Sequence, residues 1–200
     1  MTRRLLLALA LLTILTAGCS VQVGGEDGAT SGSGENSSFT EAGVARIEDE
    51  GRAVLDLREP GLSAQDLGAA DGERLRDLDV EDAADPVTLV VRGSQGDLEV
   101  EARSIRCLVG PEGQIDSVAV FHRAPDQEAL LAALEEIGGT VGADTTRVDS
   151  FAGSVRSQPE QERDVWVNGA DALGFDVGLH PVYAPDADAQ VLELQLTPPR

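Results

Sequence analysis

VTLVVRGSQGDLEVEARSIRCLVGPEGQIDSVAVFH, residues 87–122, decides the fold. Its β-branched and aliphatic residues fall into three runs, 87–92, 98–109 and 115–122, separated by the Gly-rich connectors 93–97 and 110–114. Apolar-rich runs bounded by turn residues are the pattern of strands joined as a meander. Each connector holds a three-residue loop ending in Gly, as a type I turn with a Gly bulge requires, and Pro111 stands where its fixed φ is favourable. If Gly110 pairs with Gln114, then Val109 faces Ile115, Cys107 faces Ser117 and Ile105 faces Ala119. Those six residues would share one buried face.

Working outward, a helix is expected next. Asp126 caps it, Leu130, Leu134 and Ile137 recur at helical spacing, and Gly138-Gly139 ends it. Val148, Phe151 and Val155 predict a second helix after Asp144. Strand patterns return at 164–167 around Trp166, at 174–182 and at 191–196. On the other side, 44–47 and 52–57 flank Glu48-Asp49-Glu50-Gly51 as a hairpin, and Leu67, Leu75 and Leu78 mark a short helical region. Strands around a central helical segment predict an α+β domain with a mainly antiparallel sheet and one or two helices.

The N-terminus has a different character. Arg3 and Arg4 precede an apolar run, 5–17, that stops at Thr16-Ala17-Gly18-Cys19. A positive start, a short apolar core and small residues before a cleavage point are the requirements of a secretory signal peptide. The run is shorter than the about 20 apolar residues that a spanning helix needs. Because it ends in cysteine, the segment resembles the signal of a bacterial lipoprotein, with Thr16 where leucine is most usual. The resemblance covers the export signal alone. It implies that residues 1–18 are removed, that Cys19 is lipidated, and that the chain is held at the cell membrane by this lipid, facing outside the cytoplasm. One acyl chain anchors marginally and two hold stably. The stretch 19–40, with GGEDGATSGSGENSS in its middle, reads as a flexible Gly/Ser-rich tether. Residues 41–200 are then a single domain of ordinary size.

All 15 basic residues are arginine, against 36 acidic ones. With abundant Ala, Gly, Asp and Leu, this is the composition of a high-GC bacterial genome. Losing residues 1–18 removes two arginines and no carboxylate, so the formal charge moves from −21 to −23. Such a surface repels phosphate backbones, which excludes nucleic acid as a partner. Without lysine there is no Walker A loop, no Schiff-base chemistry and no Ser-Lys dyad. There is no G-x-S-x-G elbow, and 138–142 lacks the spacing of a dinucleotide-binding turn.

Cys107 and His122 are the sharpest enzymatic pair, and the hairpin register separates them. His122 would stand opposite Ala102, about 17 Å along the strand from Cys107 and on the other face. Cys107 therefore reads as a buried, inert thiol, without a disulfide partner once Cys19 carries lipid. His180, beside Pro181, reads as an ordinary strand histidine, and Trp166, between two valines, as a core anchor. The histidines and the thiol lack zinc spacing. The acidic stretch 77–82 has no Gly at the sixth position of a calcium loop and no Glu at the twelfth, and reads as a solvated loop. No catalytic, cofactor-binding or metal-binding residue is assigned. The expected function is non-enzymatic binding of another envelope protein or ligand. A carrier of an apolar ligand would need a large aliphatic cavity, and a carboxylate-based hydrolase two converging acids.

Overall fold

The computed structural model describes residues 36–58, 62–80, 85–169 and 173–198. The expected signal peptide 1–18, Cys19 and the tether as far as residue 35 lie outside the described residues. The elements run α1 (Glu41–Glu50), β1 (Arg52–Asp56), β2 (Leu75–Asp79), β3 (Val87–Gly93), β4 (Gly96–Ala102), β5 (Ser104–Val109), β6 (Ile115–Ala124), α2 (Gln127–Thr140), α3 (Thr145–Ser157), β7 (Arg163–Asp164), β8 (Val167–Asn168), β9 (Asp176–Tyr183) and β10 (Gln190–Thr197). A small sheet has the order β1-β3-β4, and a large one β2-β5-β6-β10-β9-β7, with β8 also paired to β9. Only β1 with β3 is parallel among these pairs. The fold is α+β with a mainly antiparallel sheet, as expected, and it has three helices among the described residues.

Helices α2 and α3 form where the apolar spacing places them. The Asp126 carboxylate accepts the Ala129 N–H at 2.9 Å, and the Asp144 carboxylate accepts the Thr146 and Arg147 N–H groups at 3.0 and 3.4 Å. α2 continues through Gly138-Gly139 to Thr140, and lays Leu130, Leu134 and Ile137 against β6, β9 and β10. Leu192, Leu194 and Leu196 of β10, Val177 and Leu179 of β9, and Val118 and Val120 of β6 meet them from the sheet.

Two elements differ in type from expectation. Residues 44–47 belong to α1, capped by the Thr40 hydroxyl at the Gly43 N–H and closed by Gly51 at φ 63. Val44 and Ile47 stand three apart, a spacing that suits a helix as well as a short strand. No hairpin joins 44–47 to 52–57, and β1 pairs with β3 instead. The helical region expected around Leu75 and Leu78 is strand β2, in which those two leucines face opposite ways, one half exposed and one buried. Asp77 and Asp79 are thereby strand residues, not part of a solvated loop, while 81–82 lie outside the described residues.

The meander also breaks. The run 98–109 bends at Arg103, and β4 closes the small sheet while β5 enters the large one. Buried positions switch phase there, from Leu98, Val100 and Ala102 to Ile105, Cys107 and Val109. Gly93 and Gly96 pair directly, so the first connector is a two-residue turn. The second is the expected three-residue loop, closed by the Gly110 N–H on the Gln114 carbonyl at 2.8 Å. Val109 faces Ile115, but a bulge then shifts the ladder so that Cys107 faces Val118 and Ile105 faces Val120. Ser117 and Ala119 consequently lie on the opposite, partly exposed face.

The ordered domain begins earlier than residue 41. Phe39 is buried, its N–H donates to the Leu67 carbonyl at 3.0 Å, and the Ser37 N–H donates to the Val54 carbonyl at 2.8 Å. The Arg76 guanidinium donates to the Phe39 carbonyl. Residues 36–40, read as tether, are part of the same packed unit as the other described residues. One hydrophobic core joins the inner faces of both sheets, α2 and Phe39. No helix among the described residues is long and apolar enough to cross a membrane.

Candidate binding face

Strand alternation sends the other half of the large sheet's side chains away from the helices. Across five strands the register aligns His180 of β9 with Glu193 of β10 and Phe121 of β6, with Ser104 and Arg106 on β5 and Asp77 on β2 alongside. The row is knit by side-chain contacts. His180 Nδ1 lies 3.4 Å from Glu193 Oε2, the Arg106 guanidinium stands over Phe121 at 5.7 Å, and Arg106 Nε donates to Asp77 at 3.1 Å. Asp77 accordingly raises the Arg106 pKa further.

Trp166 lies at the β9 end of this row. It is not the expected core anchor: the side chain is 44% exposed, and its ring stacks on His180 with centroids 4.4 Å apart and planes 8° from parallel. The local sequence explains the placement. β7 and β8 both pair with β9, but their ladder breaks opposite His180 and Pro181, and proline has no N–H to donate. Val165 and Val167 turn inward, so alternation turns Trp166 outward. Gly178 provides the seat. A Cβ there would stand 3.3 Å from Cζ3 of the indole, tighter than ordinary contact, and its absence leaves room for that edge of the ring. Arg147 Nη1 donates to the Trp166 carbonyl at 3.2 Å and fixes the backbone beneath. His180, expected to be unremarkable, is thus half of an aromatic platform.

The other residues weighed from sequence are not brought together. Cys107 is buried, and that burial first, with Asp77 adding to it, pushes its thiol up to about 12. A thiol so protonated is no nucleophile at neutral pH. The bulge puts His122 on the same side of β6 as Val118, the residue facing Cys107, which corrects the expected opposite orientation. His122 is still four residues along the strand from Val118, about 13 Å at the usual rise. His122 Nδ1 instead lies 3.2 Å from the Glu101 carbonyl. It lines a groove of about 330 Å³ with Glu99, Glu101 and Glu136, which is no aliphatic chamber. Among the described residues, no three His, Cys, Asp or Glu side chains are placed to hold a metal ion.

In comparison with known proteins, no family model matches the chain, no curated protein matches it, and no solved structure matches it.

Proposed function

We propose that the chain is a non-enzymatic binding module, displayed outside the cytoplasm by a lipid on Cys19, and that it recognises an envelope partner through the sheet face around Trp166. The observation that carries this reading is an indole left 44% exposed yet held flat against His180. An exposed tryptophan with a fixed ring loses little conformational freedom when a partner covers it, the property that makes tryptophan frequent among binding hot spots. Partly buried Phe121 and the exposed pair Leu75 and Leu108 extend the same face toward β2. The display part is supported by the apolar run that ends at Cys19.

Two variants test the two parts separately. Cys19→Ser should move the chain from membrane to soluble fractions and abolish labelling with a fatty-acid analogue; membrane retention without label would overturn the anchor. Trp166→Ala should keep the wild-type melting temperature while losing the envelope partner recovered by crosslinking on intact cells. Equal recovery by both chains would overturn the binding face.

A further inference from the structure

We infer that the free side of the Trp166 ring receives a guanidinium or ammonium group from a basic protein segment, an inference that rests on the binding reading above. Cations are attracted to the negative face of an aromatic ring, and indole is the best of the natural rings for this. One side of the Trp166 ring is covered by His180, so the attractive surface available to a partner is its outer side. The neighbourhood suits a cation. Glu193 lies beside His180 on β10, Asp176 lies two residues from Gly178 on the same side of β9, and Asp164 of β7 faces Val182 on that side as well.

The guanidinium of Arg147 is engaged by the Trp166 carbonyl and by Asp144 at 3.9 Å. The same sheet face already holds one such contact within the molecule, Arg106 over Phe121. At longer range, a formal charge of −21 steers basic partners toward the domain. A saccharide would be held by several stacked rings, whereas a basic segment needs one ring and carboxylates around it, which is what this face offers.

Trp166 is the sole tryptophan, so its emission reports this site directly. The full chain is titrated with tetra-arginine amide and with tetra-citrulline amide, which has the same shape without the charge. The arginine peptide should shift Trp166 emission saturably, and the citrulline peptide should bind several-fold more weakly. By calorimetry, Trp166→Leu, which keeps an apolar side chain but no ring, should weaken the arginine peptide roughly two- to five-fold. Glu193→Gln should weaken it too, and Glu112→Gln, in the remote 110–114 turn, should not.

Equal binding of both peptides, arginine binding without a change in emission, or full binding by Trp166→Leu overturns the inference. So does an emission shift produced by free phosphocholine or a soluble oligosaccharide and not by the arginine peptide. If Trp166→Ala loses its crosslinked partner while the arginine peptide fails to bind, the binding face stands and its cationic occupant falls. If the peptide binds at Trp166 but the crosslinked partner is unaffected, the cation site stands and the broader reading falls.

Discussion

Cys107 shows how burial alone settles the chemistry of a residue. Ile105 and Val109 on its own strand, with Val118 opposite, enclose the thiol and hold its pKa at about 12. It should react with a thiol reagent only after denaturation, and fast labelling of Cys107 itself in the folded Cys19→Ser chain at neutral pH would contradict the structure. The same burial predicts a pH dependence. The unfolded thiol loses its proton near pH 8.5 and the folded one near 12, so the folded state retains a proton that the unfolded state gives up. The contribution to stability is complete below about pH 8.5 and is lost as the pH rises toward 12, by up to about 1.4 kcal/mol per pH unit. Urea unfolding at pH 8 and pH 10 should therefore show a steeper alkaline loss in the wild type than in Cys107→Ala. Trp166 was legible at this scale by alternation, since Val165 and Val167 inward means the indole outward. Its bulk and apolarity point the other way, and that is why residue type alone places it in the core.

Secondary structure follows the sequence most closely where capping and spacing agree. Asp126 and Asp144 begin α2 and α3 as their positions require, because a carboxylate at the N-cap satisfies N–H groups that the helix leaves unpaired. α1 has equally good signals in Thr40 and Gly51, but its short apolar pair also fits a strand. Gly51 offers the direct check. It sits at φ 63 with nothing within 4 Å of where a Cβ would stand, so Gly51→Ala carries a purely conformational cost of about 1–2 kcal/mol in chemical denaturation. Gly51→Asn should cost less, since asparagine tolerates the left-handed region better. A neutral Gly51→Ala would mean that 44–47 is not helical in solution. The corner at Arg103 left a trace in the sequence as well, in the slip of apolar positions from 98, 100 and 102 to 105, 107 and 109. The bulge in β6 left a similar one, in the step from Ile115 to Val118 and Val120. A phase slip without Gly or Pro is easy to pass over, and each one flips every later side chain to the other face.

At the scale of the whole molecule, the core ties the first described residues to the rest. Phe39 is 2% exposed, so Phe39→Ala should cost about 3–5 kcal/mol, and a chain truncated to begin at Glu41 should melt well below one that begins at Asn36. Equal melting temperatures would show that residues 36–40 contribute nothing to the domain. The sequence by itself determined the α+β class, the positions of α2 and α3, most strand positions from 87 onward and the acidic surface, because these depend on local periodicity, capping and charge. Only the tertiary structure decided that the meander divides between two sheets, that β1 lies parallel to β3, that Phe39 belongs to the core and that Trp166 stacks on His180 above Gly178. Each of those is a contact between segments far apart in the chain. Local pattern records which side of an element is apolar, but the segment that covers it is selected by packing the whole chain at once.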